Sequence, residues 1–196
     1  PSSGCTTDML RLATAPATEP VSSSEAKAHL RVTGSGDDAY IGALIVAARQ
    51  LAEQKLNRAL ITQTWDLVLD AWPCDGVVQI PLGGVTAVSS VKVHDGTSLQ
   101  TVSSSLYQVA LTGVLARVVP VWGTLWPTPA DRLEPIEIRF VAGYADAASV
   151  PAAIKQWLLL QIGHLYEHRE SASDFQVYAT PYVDGLLDPY RCPVVA

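Results

Sequence analysis

The sequence predicts an α+β protein: a small helical bundle, with helices near 22–31, 38–57 and 151–170, into which an antiparallel β-unit is inserted at about 61–145. An extended C-terminal tail follows. Three observations carry this reading. Apolar residues recur at helical spacing in two long stretches, the spacing changes to two between those stretches, and turn-forming pairs crowd the middle of the chain rather than its flanks. A chain of 196 residues, 48% hydrophobic and 16% charged, can bury a core without a metal or disulfide staple.

Residues 1–20 are rich in Ser, Thr, Pro and Ala without periodicity and are expected to form a flexible arm. Ser22 and Glu25 then make an S-x-x-E capping box, with Val21 placed to staple against Ala26, and open a short helix that Thr33-Gly34-Ser35-Gly36 ends. Asp37 and Asp38 suit a second helix start, because carboxylates are stabilised at the positive end of the helix dipole. Ile41, Leu44, Ile45, Ala48, Leu51, Ala52 and Leu56 follow at the spacing of one buried face.

From Ile61 the pattern alternates: Trp65, Leu67, Leu69 and Ala71 against Thr64, Asp66, Val68 and Asp70, a half-buried strand whose carboxylates face solvent. Pro73-Cys74-Asp75-Gly76 turns the chain back. Further short strands are expected at 77–80, 88–94, 107–110, 115–119 and 136–141, punctuated by Asp95-Gly96, Thr112-Gly113 and a Pro-rich connection at 120–135. Pro151 suits the first turn of the last long helix, where Ile154, Trp157, Leu158, Ile162 and Leu165 form one stripe. The domain division is therefore an arm at 1–20, one bundle domain at 21–174 carrying the β insertion, and a tail at 175–196.

The net charge of −6, from 13 basic and 19 acidic residues, gives no basic stripe for a phosphate backbone and argues against sequence-specific DNA binding. Residues 59–150 hold much of the excess, with 4 basic against 8 acidic side chains. No run of apolar residues is long enough to span a bilayer, so no membrane partner is expected. Cys5, Cys74 and Cys192 are an odd, widely spaced set without a CxxC pair, which suggests neither a disulfide framework nor zinc and reads as a reducing cytoplasm. The first twenty residues also lack the basic flank and apolar run of a signal peptide.

Two motifs invite catalysis. His164-Leu165-Tyr166-Glu167-His168 fits H-x-x-E-H, in which two His one turn apart hold zinc beside a Glu base, but only 28 residues follow His168 to supply the further ligand. Gly34-Ser35-Gly36-Asp37-Asp38-Ala39 fits a loose dinucleotide fingerprint, yet it joins two helices and places an Asp pair where a pyrophosphate needs positive potential. The expectation is no catalytic residue, no cofactor and no metal.

Trp65 and Trp157 fall on core stripes, whereas Trp122 and Trp126 flank Gly123 in the Pro-rich connection, as loop anchors or as contacts to another subunit. A ligand- or glycan-binding module using Trp122 and Trp126 is the rival reading.

Several blocks in order resemble one known family: Val21-Ser22 with Glu25-Ala26-Lys27 and His29-Leu30-Arg31-Val32; Asp37-Asp38; Arg58-Ala59-Leu60-Ile61-Thr62-Gln63-Thr64-Trp65; Trp126-Pro127; and Arg139-Phe140-Val141-Ala142-Gly143-Tyr144. The series continues with Val150-Pro151-Ala152-Ala153-Ile154-Lys155-Gln156, His164-Leu165-Tyr166-Glu167-His168-Arg169 and Leu186-Leu187-Asp188-Pro189-Tyr190-Arg191. The chain thus resembles the head-to-tail connector, or adaptor, proteins of long-tailed phages and phage-like gene transfer agents. The resemblance implies a ring, of twelve copies, between portal and stopper in the particle neck, assembled in the bacterial cytoplasm and extending the channel through which double-stranded DNA passes. It also accounts for H-x-x-E-H as a helix end. Portal docking is expected from the tail through Tyr178, Tyr182, Leu186, Leu187, Tyr190 and Arg191, unless that tail folds back onto its own bundle.

Overall fold

A computed structural model describes residues 9–168 and 181–193. Helix α1 (Ser23–Leu30) starts at the expected capping box: the Ser22 side chain accepts from Glu25 N–H, and the Glu25 carboxylate accepts from Ser22 N–H at 2.7 Å. It stops at Arg31, which takes a left-handed conformation and folds its N–H back onto the last turn. Helix α2 (Asp38–Leu56) ends the same way at Asn57. Helix α3 (Ala152–Glu167) begins after Pro151, as proline's fixed φ favours. The buried stripes of the three helices meet in one core, where Ile41, Ala48, Ala52, Leu56, Ile154, Trp157 and Ile162 are all inaccessible or nearly so.

Between α2 and α3 the chain builds strands β2 (Gln63–Leu69), β3 (Val78–Gln79), β4 (Val85–His94), β5 (Leu99–Thr101), β6 (Tyr107–Ala110), β7 (Arg117–Pro120) and β8 (Ile136–Ala142). A five-stranded antiparallel sheet runs in the order β1-β2-β8-β4-β5, with β1 formed by Met9–Thr14, and a three-stranded sheet runs β3-β7-β6. The inward faces of both sheets share a second core that includes Leu67, Leu69, Val78, Val91, Val118, Ile138 and Phe140.

Strand β1 was not legible in the sequence and corrects the reading of residues 1–20 as a flexible arm throughout. It pairs antiparallel with β2, Arg11 opposite Asp66, yet most of its side chains are exposed, so it carries no burial period to recognise. The expected solvated face of β2 is also corrected at Asp66, which is 1% exposed. Arg139 on β8 grips it bidentately, at 2.7 and 3.0 Å, and Arg11 approaches from β1 at 3.3 Å. The Arg139 hydrogen bonds, aided by Arg11, hold the Asp66 carboxyl below the usual carboxylate range. Arg11 and Lys92 also meet Glu137, which extends the ladder across four strands.

The chain leaves the bundle and returns to it side by side. Ile61 bridges Tyr144 in parallel, and Thr62 N–H donates to Tyr144 O at 2.9 Å. Gly143 makes this crossing possible: its φ is +110°, and a Cβ there would sit 2.3 Å from Ile61 O. Glu53 ties the exit down, one oxygen accepting from Leu60 N–H and Gln63 Nε2 and the other from Arg49.

Candidate functional site

The motif residues come first. His164 and His168 lie one turn apart at the end of α3 with ring centroids 4.8 Å apart, and His168 N–H donates to His164 O as the helix stops. Among the described residues no group of three or more His, Cys, Asp or Glu is gathered as a metal site would require. Gly34 and Gly36 lie in the turn between two helices. Asp37 there accepts from Tyr166 OH, and Asp38 pairs with Lys27 at 2.6 Å, so both carboxylates serve helix-to-helix contacts.

The two tryptophans of the Pro-rich connection part company. Trp126 stacks on Trp72 with centroids 4.2 Å apart, its Nε1–H donates to Gly76 O at 2.8 Å, and it packs on the β core. Loop anchoring is its role, which corrects its expected place beside Trp122 as an outward contact. Trp122 is 99% exposed and Leu125 90%. The turn that presents them is held rather than loose: Val121 N–H donates to Leu106 O, and Thr124 N–H and Oγ1 both donate to Val121 O. Gly123 at φ +81° closes it. Leu125 was missed in the sequence because an apolar residue in an aperiodic connection looks the same whether it is covered or bare.

The tail residues divide likewise. Tyr178 and the side chain of Tyr182 lie outside the described residues. Leu187 is fully buried in the bundle core, and Leu186, Tyr190 and Val183 pack against that core. The alternative of a tail folded back onto its own bundle therefore holds for residues 183–192, and Leu186, Leu187 and Tyr190 are corrected from docking anchors to packing residues. The short helix α4 (Pro181–Asp184) shows how the sequence achieves this: Asp184 accepts from Trp157 Nε1 at 3.1 Å and from Lys55 Nζ at 2.9 Å. Those donors, Lys55 first, hold its carboxyl below the usual range. Farther along, Cys192 N–H donates to Leu56 O at 2.8 Å and Asn57 Nδ2 to Pro193 O at 3.1 Å. Gly83 leaves no room for a Cβ against Cys192. Arg191 stays exposed, paired with Asp188 at 3.3 Å.

A bundle with an inserted two-sheet β-unit, strapped by its own tail and presenting a bare Trp122 turn, is thus the arrangement to be compared with known proteins. Residues 23–115, from α1 to the loop after β6, match the family described as Phage gp6-like head-tail connector protein. Over that span the chain is similar to the head-tail connector family, in line with the resemblance seen in the sequence. No curated protein matches it. Among solved structures, a chain from the neck of an empty GTA particle computed with C6 symmetry is similar at TM-score 0.82 and 24% identity, covering 96% of this chain and 97% of that one. A chain from the virion of a native gene transfer agent particle gives 0.79 and 24% with the same coverage. One from the neck of a native GTA particle computed with C12 symmetry gives 0.74 and 23%, again over 96% and 97%. The fold is therefore shared over nearly the whole chain, well beyond the matched segment.

Proposed function

We propose that the protein is a structural head-to-tail connector: one subunit of a twelve-membered ring in the neck of a phage-like particle, between portal and stopper, extending the DNA channel. The observation that carries this is the near end-to-end likeness to chains from gene transfer agent necks, one of them computed with twelvefold symmetry. The acidic balance suits a channel wall, since a net charge of −6 per copy offers passing phosphates no counterion-releasing contacts. Trp122, with Leu125, is the subunit or stopper contact, because a rigid turn that exposes an indole is built for burial elsewhere. Portal docking belongs to the stretch holding Tyr178 and Tyr182, while Leu186, Leu187, Tyr190 and Arg191, the last paired with Asp188, lie on its C-terminal side.

Cryo-electron microscopy of particles from the producing cell tests the reading. Twelve copies beneath the portal are expected, and necks that lack the chain would overturn it. The isolated protein is expected to retard duplex DNA only above micromolar concentration at physiological salt.

A further inference from the structure

A cleft of about 350 Å³ opens where the bundle, the β-unit and the C-terminal strap meet. Arg58, Val85, Leu111, Val114, Tyr190 and Arg191 are among its walls, and no carboxylate lines it. Arg58 lies over the Tyr144 ring at 5.2 Å, and its buried Nε–H has no hydrogen-bond partner. A donor withdrawn from water without an acceptor is a standing cost, which an acceptor entering the cleft would relieve. Leu111 and Val114 are exposed at the rim, Val114 at 66%. The cleft holds two guanidiniums against the one carboxylate of Asp188 at its edge, and so keeps a positive excess in an acidic chain, with apolar edges.

The matching chemistry occurs on the same chain. In the loop before β8, Leu133 is 81% exposed in the exposed segment Asp131-Arg132-Leu133-Glu134, where two carboxylates outweigh one guanidinium whose Nε–H is turned onto Leu133 O. Neither carboxylate has an ion-pair partner among the described residues. The loop is fixed in place: Ala130 N–H donates to His94 O, His94 N–H to Pro135 O, and Glu134 N–H to Asp70 at 3.0 Å.

The cleft adjoins Val85 at the start of β4, and the loop adjoins His94 at its end. Ten extended residues separate them by about 30 Å. One copy cannot join its own two patches, and complementary patches at opposite ends of a subunit make a head-to-tail contact, the kind that generates a ring when its rotation closes.

We propose that residues 131–134 of one copy dock in the Arg58–Arg191 cleft of the next, with Leu133 on Leu111 and Val114 and the carboxylates of Asp131 and Glu134 on the guanidiniums. This contact rests on the ring reading and adds to it the surfaces that close the ring.

The test uses particles assembled in the producing cell from a chain carrying Val114→Cys and Leu133→Cys, with Cys5→Ser, Cys74→Ser and Cys192→Ser to remove the native thiols, Cys192 because it lines the same cleft. Mild oxidation is expected to give a ladder of covalent multimers on a non-reducing gel, and each single-cysteine chain only monomers. Separately, Arg191→Glu should lower neck occupancy about tenfold, and adding Asp131→Lys with Glu134→Lys should restore it. A native chain present in the necks with no ladder, or with no rescue, overturns this contact and leaves the ring standing. Necks without the native chain overturn both.

Discussion

The bundle and the β-unit each have a closed apolar core, but they recruit it from the chain in different ways. The β core is drawn from one continuous stretch, Ala59 to Ala142. The bundle core joins Val21, the residues of α1 and α2, Leu60 and Ile61, then Val150 and α3, and finally Leu187. One core is local and the other is assembled from the two flanks of an insertion. Long-range ties such as Asp184 on Trp157 and Cys192 on Leu56 therefore complete the bundle core itself, whereas the one flank that reaches the β-unit, β1, adds an edge strand with mostly exposed side chains. The outward chemistry differs too: the β-unit presents the held Trp122 turn, and the bundle covers its surface with its own strap.

The largest expected effects are those that open either core. Trp157→Ala and Phe140→Ala should each cost about 3–5 kcal/mol, since both side chains are essentially inaccessible. Amide exchange separates them: Trp157→Ala should speed exchange in α2 and α3 before β8, and Phe140→Ala the reverse. Uniform acceleration in both variants would mean that the two cores unfold as one unit.

Next come the ties peculiar to the bundle. Leu187→Ala should cost about 2–4 kcal/mol by thermal or denaturant unfolding, and truncation before residue 181 at least as much, because Leu187 completes a core rather than decorating it. A truncated chain with an unchanged melting curve would return the strap to the role of a free docking arm.

Asp66→Asn probes the outer face of the β-unit and should cost about 1–2 kcal/mol at neutral pH, a modest figure because both arginines remain partly exposed to screening water. The folded-state pKa of Asp66 lies below its unfolded value, so its contribution is present above about pH 4 and fades as pH falls through the lowered value. Unfolding curves of variant and native protein should converge in acid, and a gap that persisted there would assign the loss to packing. The smallest effect is Trp122→Ala, which should change stability by no more than about 0.5 kcal/mol while reducing incorporation into particle necks.

The elements with one buried face were readable before the fold was seen. Helix α2 ends within a residue of its expected limits because an acidic start and a 3.6-residue stripe agree, and β8 is bounded by Pro135 and Gly143. The short strands β1 and β5 were missed, since Leu99–Thr101 and most of β1 are exposed on both faces and leave no period. At the candidate site the type of residue was legible and its direction was not. Trp122 and Trp126 share a local context, and only the distant Trp72 and Gly76 decide which one turns inward. Leu186 and Leu187 were recognised as anchors, but their partner proved to be the chain's own helices, information that resides in Lys55 and Trp157, which lie 129 and 27 residues before the Asp184 they hold.

The insertion at Ile61 and Tyr144 also dictates an order of events during synthesis. Helices α1 and α2 leave the ribosome with their apolar stripes uncovered, and α3 follows only after the whole β-unit has emerged. At about 5–20 residues per second, that interval is roughly 5–20 s. The β-unit holds a complete core of its own by then, and it can act as the folded clamp that keeps Ile61 beside Tyr144 until the late helix arrives. The same crossing that positions the two halves in the finished subunit thus shortens the search by which the bundle closes.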